Sequence, residues 1–281
     1  MEPLPSSFRD PSGFVFSHGG SIYRQINNSF AQNYDAFIAS GLYEKLVSRR
    51  LLVSHEGIIN DSIPTTPDCY KLIKPQKIPF ISYPYEWSFS QLKEAAMLTL
   101  RVQHEAIKHG FVLKDASAFN VQFNESKPVF IDTLSFEPYV PGSPWVAYKQ
   151  FCQHFLAPLA LMAHTDVELS KLMISHIDGV PLSLASKLLP FKTRLNYSLA
   201  SHVHLHSKMQ QQHADAAGKD ATAKPKTVRL SKQGMRGLME SLANTVKKLN
   251  WKMPETEWGD YYAKTNYSER AGEEKRALVD R

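Results

Sequence analysis

Apolar residues recur at helical spacing in two early stretches. Between about Asn33 and Leu52, Tyr34, Phe37, Ile38, Leu42, Leu46 and Leu52 predict one helix, weakened in its middle by Gly41. After Ser88, whose spacing to Gln91 is that of a capping box, Leu92, Ala95, Ala96, Thr99, Val102 and Ala106 predict a second helix that stops at Gly110. Short β-prone runs surround them. Gly13–Phe16 and Ile22–Ile26 flank His18-Gly19-Gly20-Ser21 as a hairpin, and Cys69–Ile73 and Ile78–Tyr83 read as strands that end at Pro84. Phe111–Leu113, Val121–Phe123 and Val129–Ile131 are three brief extended runs, the last two joined by a turn over Asn124–Pro128. Beyond Pro144 the pattern turns helical over Trp145–His164, Val167–His176 and Leu182–Leu189, and again over Gln233–Leu249. Strands in the first half and helices in the second predict an α+β fold, and no internal repeat is present.

Composition narrows the class without naming a chemistry. With 43% hydrophobic and 21% charged residues, the 281-residue chain has globular composition, in one large domain or two lobes. No run approaches the ~18 apolar residues of a membrane span, and the N-terminus shows no basic n-region followed by an apolar stretch, which predicts neither membrane nor secretion. Cys69 and Cys152 stand alone and read as reduced cytosolic thiols, so the expected compartment is the cytoplasm. The net charge of +6 is concentrated. Between Lys208 and Arg236, seven Lys/Arg face only Asp215 and Asp220, so this Gln-, Ala- and Lys-rich stretch carries +5. Charge in such a segment predicts a solvated flexible linker rather than a nucleic-acid face. His202, His204 and His206 alternate without a nearby carboxylate or Cys, which predicts no metal site there.

Chemistry concentrates between His104 and Phe136. Asp115-Ala-Ser-Ala-Phe-Asn120 has the spacing D-x-x-x-x-N, and after the short hairpin the chain returns to Ile131-Asp132. Helix, loop, hairpin and terminal Asp together resemble the catalytic and metal-binding loops of the protein-kinase and aminoglycoside-phosphotransferase superfamily. The resemblance implies a two-lobed kinase-like fold with a small β-containing N-lobe over 1–82 and a mostly helical C-lobe over 83–206, then a basic linker over 207–232 and a C-terminal helix with an aromatic segment over 233–281. It further implies ATP and Mg²⁺ as cofactors, Asp115 as catalytic base, Asn120 and Asp132 as metal ligands, and a nucleotide and a small-molecule or carbohydrate hydroxyl as partners.

Several positions depart from that pattern. Leu113 stands where a His is usual two residues before the catalytic Asp, and no G-x-G-x-x-G occurs in the first hairpin, where His18-Gly19-Gly20-Ser21 is the nearest equivalent. Arg24 on the second hairpin strand is the candidate phosphate-pairing cation, with Glu44 on the next helix as its candidate partner and Lys71 or Lys74 as alternatives. Tyr83-Pro84-Tyr85-Glu86-Trp87 falls where a hinge would meet an adenine edge, which makes Tyr85 a candidate nucleotide contact. These departures leave open a pseudokinase-like module.

A second resemblance rests on Phe8–Phe16, on the loop region and on the W-x-D-Y-Y-x-x-T-N-Y-S run that starts at Trp258. Together they are similar to the N-terminal part of bacterial class I SAM-dependent methyltransferase family proteins. This implies a fragment or stand-alone version of such a protein, or an accessory module with a methyltransferase partner. The chain holds no strand ending in a G-x-G turn with an acidic residue ~20 positions on, so SAM is expected only through a missing or partner domain.

Overall fold

Gly19 and Gly20, both at positive φ (54° and 76°), close a tight turn between β2 (Gly13–His18) and β3 (Ser21–Asn27). The computed structural model describes residues 2–4, 7, 10–59, 62–205, 230–252 and 268–280. With β1 (Glu2–Pro3), β4 (His55–Ile58) and β5 (Cys69–Pro75), the hairpin forms a five-stranded antiparallel sheet in the order β1-β2-β3-β5-β4. Between β3 and β4 run two helices, α1 (Ala31–Ala39) and α2 (Leu42–Ser48), divided at Gly41 with φ 72°. The single helix expected over 33–52 is therefore two, because the left-handed residue redirects the chain. Ile78–Tyr83 is not a strand, and His55–Ile58 is one that the sequence pattern hid: its His-Glu-Gly-Ile run carries little apolar signal.

The second half starts with α3 (Phe89–Lys108), on which Ser88 accepts from the Gln91 backbone and Gln91 returns the bond to the Ser88 N–H. Its buried face carries Leu92, Ala95, Ala96, Thr99, Val102 and Ala106, and Gly110 at φ 80° ends the turn that follows. Then come β6 (Phe111–Leu113), β7 (Val121–Asn124), β8 (Lys127–Phe130) and β9 (Phe136–Pro138), paired β6 with β9 and β7 with β8. The remainder is helical: α4 (Tyr148–Phe151) runs through a π-helical stretch, Cys152–Leu156, into α5 (Ala157–His164), and a helix follows at Leu182–Leu188. A helix at Lys232–Lys248 packs on α3. The fold is thus α+β, with the sheet N-terminal and the helices C-terminal.

Close contacts define two compact units, Met1–Trp251 and Lys252–Arg281. The Lys232–Lys248 helix belongs to the first. In the second, a helix at Glu269–Val279 begins at Ser268, which accepts from Ala271. The expected linker core at 207–226 and the Tyr261–Tyr267 aromatic run lie outside the described residues.

A continuous core under α3 joins Phe37, Phe111, Phe130, Phe136, Phe151 and Phe155. A smaller cluster of Ile26, Phe30, Tyr34, Ile73 and Leu134 ties the sheet and α1 to the segment just after Asp132. That second cluster is what holds β3 against the turn that follows Asp132.

Candidate active site

The loop between β6 and β7 is fixed from several sides. Leu113 donates its N–H to Gln103 Oε1 (2.7 Å) and accepts from Trp145 Nε1 at its carbonyl (2.8 Å), and both side chains are buried. Ala116 donates its N–H to Gln150 Oε1 (2.7 Å) from α4. Within the loop, Ser117 N–H reaches Asp115 Oδ1 (2.8 Å), and the Ser117 hydroxyl accepts from Phe119 N–H, so the turn is held by its own side chains. The side-chain amides of Gln150 and Asn120 also reach the Asp115 carboxylate.

Asp132 caps the short turn Thr133–Ser135. Its Oδ1 accepts from Leu134 N–H (3.0 Å) and pairs with Arg24 Nη1 (2.5 Å), and its Oδ2 accepts from the Ser135 hydroxyl (2.5 Å). Asn120 Nδ2 lies 3.4 Å from Ser135 Oγ, and the Asn120 carbonyl accepts from Ile131 N–H. Asp115, Asn120 and Asp132 are therefore brought to one place, with Ser135 as the bridge between the last two. The Asx-turn and capping roles that could explain these side chains without function are also present; the two coexist, since each carboxylate keeps acceptor sites beyond its turn.

Electrostatics separates the two carboxylates. Burial pushes Asp115 up, and the neighbouring Asp132 charge adds to it; Ser117 N–H and the amides of Gln150 and Asn120 offset only part, so its pKa is raised. Burial also pushes Asp132 up, but Arg24, Ser135, Leu134 N–H and Lys114 together more than reverse this and leave it lowered. The two carboxyls, close enough to feel each other's charge, are thus driven in opposite directions by their surroundings.

Arg24 is on β3, the third strand of the sheet. It pairs with Asp132 and not with Glu44, which lies exposed on α2; the expected Arg24–Glu44 pair is absent because α2 turns Glu44 to solvent. Lys71 pairs with Asp35 (3.6 Å) and lies over the Tyr34 and Tyr70 rings, on the α1 side of the sheet. His18–Ser21 is the turn between β2 and β3 rather than between β1 and β2. Just before β2, Asp10 and Ser12 reach Lys114 Nζ (3.5 and 2.9 Å). Tyr85 sits in a short 3₁₀ turn, Pro84–Glu86, half-buried and stacked on Tyr83 with centroids 5.4 Å apart.

Gln103, Trp145, Gln150, Ser135 and the Lys114 side chain were not among the predicted site residues. Ser135, three residues after Asp132, had a local signal in its capping-type spacing. Gln103 and Gln150 come from helices distant in sequence, Trp145 from the segment before α4 and Lys114 from the position beside Asp115, and none of them left a signal in the pattern. His202 is held by Tyr148 Oη and Ser241 Oγ, and His204 by Ser186 Oγ and Thr193 Oγ1, so both are hydrogen-bonded core side chains. His206 lies outside the described residues.

For a metal ion, Asp132 offers one carboxylate and Asn120 one amide oxygen, and no group of three His, Cys, Asp or Glu that could hold a metal occurs among the described residues. That donor set fits Mg²⁺, which takes one or two carboxylates and completes its shell with phosphate oxygens and water. It does not fit a metal held by protein alone.

No family model matches the chain. It is 32% identical over 271 residues to nodulation protein NoeA of Rhizobium meliloti (strain 1021), an alignment that covers 94% of this chain and 56% of that protein. The chain thus spans about half the length of this curated relative. A solved structure of vaccinia related kinase 3 aligns over 90% of this chain and 82% of its own at 15% identity, with a TM-score of 0.34.

Proposed function

We propose that the chain is an ATP- and Mg²⁺-dependent phosphotransferase domain acting on a small-molecule or carbohydrate hydroxyl. The observation that carries this reading is the convergence of Asp115, Asn120 and Asp132 in one hydrogen-bonded cluster, with Arg24 of β3 on the Asp132 carboxylate. Mg²⁺ would supply neutralisation of the charge that develops on the phosphates. Asp132 and Asn120 are the residues to hold it. Asp115, raised by burial, accepts the proton of the acceptor hydroxyl as its oxygen bonds to the γ-phosphorus and ADP leaves. Positioning falls to Gln103, Gln150 and Trp145, which lock the Asp115 loop.

A specific observation favours a second reading, a pseudokinase-like module associated with a methyltransferase. Arg24 already occupies Asp132 Oδ1, and the β1–β2 connection is latched to Lys114 through Asp10 and Ser12. A guanidinium at that oxygen competes with a metal, and SAM would then enter through a further or partner domain.

Thermal-shift titration separates the two. A ligand that binds only the folded state at about a hundred times its Kd stabilises by ~2.7 kcal/mol. ATP with Mg²⁺ is expected to raise the melting temperature and ATP with excess chelator to raise it less. A protein indifferent to ATP, with or without Mg²⁺, sinks the phosphotransferase reading; SAM alone is expected to give no shift under either.

A further inference from the structure

A cavity of about 880 Å³ opens where the end of α2, the Leu51–Ser54 segment, the first half of α3 and the β7–β8 turn meet, and Asp115, Asn120 and Asp132 do not line it. Its size is that of small-molecule sites. The floor is apolar, built on Leu52, Val53, Ile78 and Val129, all buried. Five cations line it, Arg49, Arg50, Lys93, Arg101 and Lys127, against the two carboxylates Glu94 and Glu125.

The cations are not equivalent. Arg49 pairs with Glu105 (2.7 Å). Lys93 donates to the carbonyls of Lys247 and Leu249 and to Asn250 Oδ1, which fixes the lip of the cavity at Asn250–Trp251 but leaves its charge un-neutralised. Arg50, Arg101 and Lys127 are exposed and, among the described residues, no hydrogen bond or ion pair engages their side chains.

Arg50 carries an independent sign of use. Its N–H bonds the Val47 carbonyl and the Leu51 N–H bonds the Leu46 carbonyl, so α2 ends in a Schellman turn with Arg50 at the left-handed position, φ 55°. Glycine is the usual residue there, and a side chain is strained. Arginine at that position puts a cation on the cavity rim against the backbone's own preference.

We propose that this cavity is a binding site for a small organic anion, with an apolar or aromatic body on the floor and a phosphate, sulfonate or carboxylate group among Arg50, Arg101 and Lys127. The floor is continuous with β8, which ends two residues before Asp132. Phe130 donates its N–H to Leu51 O (3.0 Å) and accepts from Val53 N–H (2.9 Å), and Ile131 packs on Val53, Ile78 and Val129. The site does not depend on the phosphotransferase reading.

Trp251, 36% exposed at the lip, reports occupancy, whereas Trp87 and Trp145 are buried at 4% and 2%. In a Trp258→Phe background, titration with 1-anilinonaphthalene-8-sulfonate is expected to quench Trp251 with a saturable 1:1 curve. Combined Arg101→Glu and Lys127→Glu should weaken the probe by at least about tenfold, since two attractive charges become repulsive. Arg50→Gly should weaken it while leaving the unfolding midpoint unchanged or higher, because glycine relieves the left-handed strain. Asp132→Asn should leave probe affinity as it is. A non-saturating titration, equal affinity in the charge-reversed and Arg50→Gly proteins, or loss of binding in Asp132→Asn overturns the proposal.

Discussion

Replacing Arg24 by Met removes a guanidinium from a nearly buried carboxylate while keeping most of the side-chain volume. The two side chains are 12% and 15% exposed, so water cannot readily take the guanidinium's place. Removing one partner of a buried pair typically costs 3–5 kcal/mol, and since Asp132 keeps Ser135 Oγ and Leu134 N–H, about 3 kcal/mol is expected near neutral pH. In the native protein the lowered Asp132 carboxyl contributes stability that is complete above the ordinary aspartate value of about 3.9 and is lost as pH falls through its folded value. Without Arg24, burial dominates and raises the group, so protonation relieves the mutant and its deficit against wild type shrinks toward acid. Urea unfolding of wild type, Arg24→Met, Asp132→Asn and the double variant, followed from about pH 7 toward pH 4, measures both effects. Asp132→Asn should recover part of the loss in the Arg24→Met background, a coupling of roughly 1–3 kcal/mol. A deficit below about 1 kcal/mol, unchanged with pH and additive with Asp132→Asn, would refute the argument that Arg24 is what keeps a charged Asp132 in the fold.

Asp132→Ala should abolish Mg²⁺-dependent nucleotide binding while Asp115→Ala spares binding and removes transfer; paired calorimetric titrations and turnover assays check this, and identical behaviour of the two variants counts against separate roles. His55 and His154 are both pulled down to about 4, chiefly by burial, with Arg24 and Lys71 adding to it at His55. Stability from the neutral imidazoles is complete above the ordinary value of about 6.5 and is lost as pH falls toward 4, so unfolding midpoints should drop across that window and the drop should lessen in His55→Gln or His154→Gln. Gly13→Ala would put a Cβ 2.1 Å from the Gln25 carbonyl oxygen and 3.0 Å from Leu134 Cδ1. Overpacking of that kind costs about 1–3 kcal/mol, and a thermal melt that matches wild type would show that the β2–β3 pair yields more easily than its spacing implies.

Where a local rule governs, the sequence was legible. The capping box at Ser88 and Gln91, the Gly110 stop and the apolar face between them placed α3 to within a residue or two. The D-x-x-x-x-N loop and the following hairpin placed Asp115, Asn120 and Asp132 together, because short strands joined by a turn must return the chain beside its own start. Gly41 was read as a weak point inside one helix and proved to be a break, since only its left-handed φ distinguishes the two and φ is not written in the periodicity.

The partners of the site were decided by packing between distant segments. Arg24 meets Asp132 across 108 positions only because Ile26, Ile73, Tyr34 and Leu134 form one cluster that presses β3 onto the turn after β8. Glu44 lost its expected role to the direction in which α2 leaves Gly41. Gln103 and Gln150 sit on buried helix faces as polar residues without a motif, and their meaning appears only once the Leu113 N–H and the Ala116 N–H need acceptors. Sequence periodicity determines which face of an element is buried, and short-range spacing determines a turn. Which buried donor finds which acceptor, and which cation neutralises which carboxylate, is settled by the three-dimensional closure of the chain, because those contacts join residues that no local pattern links.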